Sequence, residues 1–125
     1  MKLLIIGAGG FLGTVLRYLT GSIPVLAGAS FPIGTLLINL TGAFVIGAVS
    51  ELPVRGVALG PNFYAFLTVG VCGGFTTFST FSLETVRLME RARYGAASLY
   101  VLLSVSLCLA GVIAGKLLVK LIFAK

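Results

Sequence analysis

Four long hydrophobic stretches dominate the chain, and short links that carry prolines or charges separate them. The stretches cover about residues 3–20, 33–50, 63–83 and 96–123. An α-helix rises 1.5 Å per residue, so about 20 residues cross a hydrocarbon core of about 30 Å. The pattern therefore predicts an all-α membrane protein with four transmembrane helices, which form a single transmembrane domain over residues 1–125.

The third stretch contains a pair of adjacent glycines halfway along its length. Gly73 and Gly74 each weaken a helix by about 1 kcal/mol relative to alanine. The hydroxyl residues that follow them compete for backbone hydrogen bonds. We therefore expect the third helix to be broken near Gly73-Gly74. Carbonyl groups freed by such a break are a recurring site for a small cation such as sodium.

Phenylalanines recur every third residue after the glycine pair. They stand at positions 75, 78 and 81, and Thr77, Ser79 and Thr80 are interleaved with them. Aromatic residues at helical spacing are usually packing residues. The interleaved hydroxyls change this interpretation, because the positive edge of a phenyl ring beside a hydroxyl donor can hold a small anion. The segment is therefore a candidate path for an anion.

Polar residues in the first two stretches each mark one helix face. Gly10, Gly13 and Arg17 share a face of the first stretch. Arg17 is near the end of this stretch, where snorkelling to the headgroups explains it at least as well as a functional role. Asn39 lies close to the middle of the second stretch, and an interhelical hydrogen bond is an adequate explanation for it.

The fourth stretch carries a stripe that changes from polar to small residues. Tyr100, Ser104 and Cys108 follow one another at intervals of four, and Gly111 and Gly115 continue the stripe. Such a face suits either close helix packing or a pore wall. Cys72 and Cys108 both lie in apolar runs, so we expect packing thiols rather than a disulfide or a metal pair.

The composition agrees with a protein that is embedded in a bilayer. Hydrophobic residues make up 58% of the chain and charged residues 10%, and the mean hydropathy is +1.16. A soluble domain has about 45–50% apolar and about 25% charged residues. A chain this short could not cover so much apolar surface with so little polar surface. The balance excludes a soluble catalytic module.

The net charge is +6, with nine Lys and Arg against three Glu. In a soluble protein this excess would indicate nucleic acid, but here the basic residues stand mostly at the ends of the stretches. We therefore expect the lipid bilayer, and not nucleic acid, as the partner of these charges.

The basic residues are almost evenly divided between the two sides of the membrane. Four spans place Lys2, Arg55, Lys116, Lys120 and Lys125 on one side and Arg17, Arg87, Arg91 and Arg93 on the other. This balance gives the positive-inside rule little to act on. Both insertion in two orientations and ordinary insertion with weak signals are open. Mixed orientation would make an oligomer an antiparallel dimer.

The N-terminal stretch has two features that resemble other signals. Lys2, the apolar run and the small residues at 27–29 are similar to a cleaved signal peptide, but Arg17 and Tyr18 interrupt the run. The glycines at 7–13 are similar to a dinucleotide-binding turn, which needs an acidic residue about 20 positions later. The first acid is Glu51. Close helix approach at the glycines is the better explanation.

Three strings of residues together resemble the Fluc (CrcB) family of fluoride channels. They are Gly-Gly-Phe-Leu-Gly-Thr-Val-Leu-Arg-Tyr at 9–18, Pro-Ile-Gly-Thr-Leu-Leu-Ile-Asn at 32–39, and Gly-Val-Cys-Gly-Gly-Phe-Thr-Thr-Phe-Ser-Thr-Phe at 70–81, which Glu84 follows. The resemblance implies a passive fluoride-selective channel that exports cytoplasmic fluoride and lowers its toxicity. It implies a multi-pass protein of the cell inner membrane or plasma membrane. It also implies a dual-topology antiparallel homodimer with two pores and a central structural sodium ion.

The same resemblance implies roles for individual residues. Backbone carbonyls of Gly73 and Thr76 from both subunits would hold the sodium ion. The fluoride pore would be lined by Asn39, Phe78, Phe81, Ser79, Thr80, Tyr100 and Ser104. Arg17 would be structural or lie in a pore vestibule, and Cys108 stands where the row of hydroxyls would continue.

The alternative function is a small multidrug-type proton-coupled exporter, which also has four helices. That mechanism needs a carboxylate inside the membrane. Glu51 and Glu90 stand at segment ends, Glu84 is near one, and the first stretch has no acid, which argues against an exporter. A membrane assembly partner would leave the glycine pair and the hydroxyl–aromatic alternation unexplained. No group in the chain indicates catalysis, so we do not expect an enzyme.

Overall fold

The structure is a computed structural model that describes residues 1–124, apart from the side chain of Ala27. Within that range every regular element is helical, which confirms the predicted all-α class. The helices long and apolar enough to cross a membrane are Lys2–Gly21, Ile33–Arg55, Pro61–Glu90 and Tyr94–Ile122. The third helix extends beyond the predicted stretch at both ends. Lys125, one of the charges considered above, lies outside the described residues.

The elements are numbered here in chain order. The first half of the chain contains α1 at Lys2–Gly21, a short α2 at Pro24–Ala27, α3 at Ile33–Glu51 and a 3₁₀ turn at Pro53–Arg55. The second half contains α4 at Pro61–Ala65, a π-helical segment at Phe66–Cys72, α5 at Gly73–Phe75, α6 at Phe78–Glu90 and α7 at Tyr94–Ile122. The hydropathy pattern did not predict α2 or the 3₁₀ turn. Each begins at a proline, whose fixed φ suits the first position of a helix.

The interruption of the third span lies at Thr76 and Thr77. Gly73 keeps helical angles (φ −63°, ψ −39°), whereas Thr76 (φ −80°, ψ 159°) and Thr77 (φ −151°, ψ 114°) are extended. The prediction of a break at Gly73-Gly74 is therefore wrong in its position. Gly74 packs against the backbone of Gly10 on α1 while it stays helical, and the β-branched threonines tolerate extended backbone well.

The first and third spans touch each other through backbone atoms. A Cβ atom added at Gly70 would lie 2.8 Å from the Cα atom of Gly9, and one added at Gly74 would lie 2.6 Å from the Gly10 carbonyl oxygen. A Cβ atom added at Gly13 would fall on the Val71 carbonyl. Only glycine fits these positions, which confirms that the glycines of the first stretch permit close helix approach.

The second and fourth spans form the other close pair, with α3 lying along α7. Their contact also depends on glycine, since a Cβ atom added at Gly115 would meet the backbone of Phe44. The centre of the apolar core is Tyr100, which is fully buried, and Ala97, Leu36 and Leu88 pack around it. The core therefore lies where α3, α6 and α7 meet.

Most of the apolar surface of the spans is not covered by the chain itself. Between 11% and 39% of the residues in the spans' most hydrophobic windows are buried, and α1 has the lowest share. Large apolar side chains such as Phe11 and Phe78 are 69% and 79% exposed. Lipid or further protein must cover these surfaces.

Candidate functional site

Asn39 on α3 binds both backbone groups of Thr77 at the interruption of the third span. Its Nδ2 donates to the Thr77 carbonyl at 3.1 Å, and its Oδ1 accepts from the Thr77 N–H at 2.8 Å. Buried backbone groups need hydrogen-bond partners, and a span crossing a bilayer has no water to supply them. The Asn39 amide therefore provides hydrogen-bond partners for both backbone groups of Thr77, where the third span is interrupted.

The same contact leaves the Gly73 carbonyl without its helical donor. In a continuous α-helix this carbonyl would accept from the N–H of residue 77, which instead binds Asn39. The Thr76 carbonyl accepts from Arg17 Nη1 at 3.3 Å, which occupies one of its two lone pairs. Each of these carbonyls can therefore accept a further contact.

Arg17 reaches from α1 into the bundle. Its half-buried guanidinium contacts the Thr76 carbonyl and so connects the first span to the interruption. The prediction left a snorkelling and a functional role open. In the structure the guanidinium group of Arg17 contacts the third span.

Three hydroxyl groups gather at the N-terminus of α6. The Thr77 hydroxyl accepts from the Thr80 N–H at 3.2 Å and donates to the Thr80 hydroxyl at 3.0 Å. The Ser79 hydroxyl lies 3.3 Å from the same Thr77 oxygen. A helix N-terminus carries a partial positive charge that favours anions. The spacing of Thr77 and Thr80 fits such a cap, whereas the sequence pattern indicates Thr77 only as a hydroxyl interleaved with the phenylalanines.

Aromatic rings form a row that runs from the surface of the chain to its core. The ring centroids of Phe78 and Phe81 are 5.5 Å apart, and those of Phe81 and Tyr100 are 5.2 Å apart. The ring of Phe31 meets Tyr100 edge-on at 5.6 Å and 82°. No local pattern predicts a role for Phe31, because it lies in the link before α3 and meets Tyr100 only in the fold.

A cavity of about 380 Å³ lies beside the interruption and is lined mostly by apolar surface. The predicted site residues in its lining are Asn39, Gly73, Thr76, Phe78, Phe81 and Ser104, and Cys108 lines it as well. The predicted residues Ser79, Thr80 and Tyr100 do not line it. The fold therefore brings together six of the residues predicted for the pore and the sodium site.

The hydroxyl of Ser104 is buried in this lining and has no hydrogen-bond partner among the described residues. The residue is 6% exposed. Nearly all buried polar side-chain atoms in proteins have a partner, so an unsatisfied hydroxyl beside a cavity makes Ser104 a candidate donor to a bound species. Cys72 and Cys108, which also line the cavity, are free thiols as predicted.

Tyr100 lies one helical turn from Ser104, but its hydroxyl is already engaged. It donates to Glu84 Oε2 at 2.7 Å, and the Thr35 hydroxyl donates to Glu84 Oε1 at 2.9 Å. The carboxylate thus joins α3, α6 and α7. The hydropathy pattern places Glu84 only near a segment end. A carboxylate within a span is itself a signal for a special role.

The chain is similar to known proteins over nearly its full length. The family model described as CrcB-like protein, Camphor Resistance (CrcB), matches residues 4–116. A protein of Chlorobaculum tepidum named "Fluoride-specific ion channel FluC" is 46% identical over 120 residues, which are 96% of this chain and 95% of the relative. Proteins of the same name from Geobacter sulfurreducens and Caulobacter sp. (strain K31) are 48% and 45% identical over 114 and 125 residues. These alignments cover 90% and 98% of this chain and 92% and 98% of the respective relatives. The resemblance expected from the three strings is confirmed, and the chain belongs to the family of CrcB-like proteins, Camphor Resistance (CrcB).

Proposed function

We propose that the chain is the subunit of a passive, fluoride-selective ion channel that exports cytoplasmic fluoride and lowers its toxicity. The relatives named above are fluoride-specific ion channels, so the family consists of transporters and the chain is not an enzyme. The observation that carries the proposal is the buried, unsatisfied hydroxyl of Ser104, a residue that lines the cavity together with Phe78, Phe81 and Asn39.

The cavity offers neutral donors to a small anion. Its lining contains hydroxyl, amide and thiol groups together with phenyl rings, and neither lysine nor arginine. A fixed positive charge inside a pore would hold an anion too tightly for fast release, whereas weak neutral contacts permit both binding and exit. Hydroxyl donors and the positive edges of the phenyl rings would replace part of the water shell of fluoride.

The direction of transport follows from the acid–base chemistry of fluoride. Hydrogen fluoride is a weak acid, so it crosses membranes as a neutral molecule and dissociates inside the cell. The anion is then trapped by the bilayer. A passive pore lets the anion leave down its electrochemical gradient, and no coupling ion is required.

We propose that two copies in opposite orientations complete each pore, so that the homodimer has two pores. On a single chain, the first turns of α6 expose three of the residues predicted for the pore, namely Phe78, Ser79 and Thr80. A partner copy would cover Phe78 and would place the Ser79 and Thr80 hydroxyls along an enclosed path. The nearly even distribution of basic residues supports insertion in both orientations.

The implied sodium ion fits the carbonyls that the interruption provides. Gly73 is exposed and its carbonyl has lost its helical donor, while the Thr76 carbonyl keeps a lone pair beside Arg17. Carbonyls of unwound helix segments commonly coordinate sodium. We propose that Gly73 and Thr76 of both copies hold one structural sodium ion, which neutralises carbonyl dipoles at the dimer centre. Elemental analysis of protein washed free of sodium should find one sodium ion per two chains; none above buffer would refute the site.

The proposed location is the cell inner membrane or the plasma membrane. The four long apolar helices and the membrane channels among the relatives make the chain a multi-pass membrane protein. Membrane fractionation with detection of a tagged chain distinguishes these membranes from internal ones.

The proton-coupled exporter is less well supported. Its carboxylate would have to face the cavity and exchange a proton for a substrate. Glu84 does not line the 380 Å³ cavity, and each of its oxygens accepts a hydrogen bond from a hydroxyl. A pH gradient alone should therefore drive no uptake of organic cations into proteoliposomes.

Replacement of Ser104 by alanine tests the proposed function at the residue that carries it. The substitution removes the unsatisfied donor, so fluoride efflux from proteoliposomes should fall severalfold. Ser106→Ala is the matched control, because that hydroxyl is on the exposed side of α7 and bonds the Leu102 carbonyl. Equal efflux from both variants would contradict a role for Ser104 in the pore.

A further inference from the structure

A second cavity of about 250 Å³ lies at the end of the bundle where α6 stops. Its walls are formed by the link before α3, the first turns of α3, the end of α1 and α6. The polar residues in its lining are Ser30, Thr35, Glu84, Arg87 and Arg91. It is separate from the cavity described above, with which it shares no lining residue.

Positive charge dominates this second cavity. Arg87 lies in the last turn of α6 and Arg91 directly follows that helix, and among residues 1–124 neither has an acidic partner within 4.0 Å. The Glu84 carboxylate faces the same space, but its oxygens accept hydrogen bonds from Thr35 and Tyr100. The lining therefore has two cations and one anion, and the anion is turned toward hydroxyl donors.

The other charged groups at this end of the bundle do not line the cavity. Arg93 donates to the Ser30 carbonyl at 2.8 Å and so holds the link that forms one wall. Arg17 points to Thr76 in the bundle, and Glu90 is exposed near the end of α6. The two unpaired guanidinium groups are thus the charges that an ion in this cavity would meet first.

We propose that this cavity is a mouth of the channel in which Arg87 and Arg91 concentrate a small inorganic anion. The inference rests on the proposed function and adds a binding position to it. A cleft lined by one sign of charge raises the local concentration of the opposite ion and its rate of arrival. Thr35 belongs to this lining and also bonds Glu84, the partner of Tyr100, so the mouth adjoins the hydrogen-bonded contact between Glu84 and the buried Tyr100.

Because the two guanidinium groups are exposed, they should bind an anion only weakly. A channel mouth needs weak binding so that the anion can leave again. Both arginines are exposed, so salt screens them, and the Debye length falls from about 30 Å at 0.01 M to about 3 Å at 1 M. An anion held there would leave readily. The contribution of the arginines should therefore appear at low ionic strength and vanish at high ionic strength.

The test is fluoride efflux from phosphatidylcholine proteoliposomes at low fluoride, with potassium gluconate as the inert salt. In about 0.01 M salt, R87Q/R91Q should reduce efflux on the order of tenfold, and in about 1 M salt the difference should disappear. R87K/R91K keeps the charges and should conduct nearly as the wild type does. Lys120→Gln, which removes an exposed cation of α7 outside the lining of either cavity, should have no effect.

Two outcomes overturn the inference. One is equal efflux from R87Q/R91Q and Lys120→Gln at low salt. The other is an effect seen only in vesicles that contain anionic phosphatidylglycerol, which would show that the arginines bind lipid phosphate instead.

A binding measurement separates this inference from the proposed function. The fluorine-19 linewidth of fluoride should broaden more with the detergent-solubilised wild type than with R87Q/R91Q. If the wild type releases no fluoride from vesicles, the proposed function fails, and the linewidths still decide the anion site. Equal linewidths would overturn it.

Discussion

Asn39 holds Thr77 by two hydrogen bonds, one to its N–H at 2.8 Å and one to its carbonyl at 3.1 Å. The amide thus takes the place of the helical partners that an extended residue in a span cannot have. The same pair of bonds withdraws the N–H that would otherwise bind the Gly73 carbonyl. A single side chain of α3 therefore stabilises the interruption and exposes the carbonyl beside it.

Replacement of Asn39 by aspartate should greatly reduce fluoride efflux. A carboxylate cannot donate to the Thr77 carbonyl, and it places a negative charge against that oxygen in the lining of the cavity. We expect a loss of about 1–3 kcal/mol of stability from the unsatisfied groups, with the proposed dimer retained. Efflux and thermal unfolding in detergent measure the two effects.

Asn62→Asp is the matched control for that substitution. Asn62 is exposed on α4, so the same chemical change should leave efflux and unfolding nearly unchanged. Unchanged efflux from Asn39→Asp would show that Asn39 does not line the conducting pore.

Replacement of Phe78 by alanine should reduce efflux at least tenfold while changing the stability of a single chain little. The ring is 79% exposed on the chain and contacts Phe81. Its loss therefore shortens the row of aromatic rings and removes no side chain from the buried core. Phe11→Ala is the control, because that ring on α1 is similarly exposed at 69%. Equal efflux from both variants would show that Phe78 serves only as surface covering.

Replacement of Gly13 by alanine should destabilise the fold. The added methyl group would fall on the Val71 carbonyl and lie 2.8 Å from the Phe75 nitrogen, so α1 must move away from the third span. Overpacking of this kind costs about 1–3 kcal/mol. Gly7→Ala is the control, since an added Cβ atom there meets nothing within 4 Å. Denaturation in detergent compares the variants, and equal stability would mean that the two spans are not in backbone contact.

A double-mutant cycle on Tyr100 and Glu84 should show coupling. Tyr100→Phe removes the donor to Glu84 Oε2, and Glu84→Gln removes the charge that it binds. We expect an interaction free energy of about 0.5–3 kcal/mol in unfolding experiments. Tyr18→Phe is the control, because Tyr18 is 73% exposed on α1 and should not couple to Glu84. Strict additivity of Tyr100→Phe and Glu84→Gln would argue against the bond.

The sequence predicted the four spans well because hydropathy and length are local properties. The close approach at Gly13 was also predicted, since a small residue on one helix face has few other uses. The interruption was misplaced because its position depends on Asn39, which comes from another helix and binds Thr77. Within the third stretch, the glycine pair is the local feature that predicts a break. The break lies at the threonines because Asn39, which is 38 positions away in the chain, binds Thr77.

The contacts of Tyr100 could not be read from its spacing with Ser104. Its hydroxyl turns to Glu84 because the acid lies on α6 and needs donors away from water. Phe31 joins the aromatic row from a link whose path no local pattern defines. Motif positions predict the candidate residues of the site, and the tertiary fold decides which of them share the cavity.

Ion release from vesicles tests the central proposal most directly. Purified protein is reconstituted in liposomes loaded with potassium fluoride or potassium chloride, and valinomycin is added while an ion-selective electrode records the outer solution. We expect rapid release of fluoride, little release of chloride, and no dependence on a proton gradient. Fluoride release no faster than the leak of protein-free vesicles would contradict it.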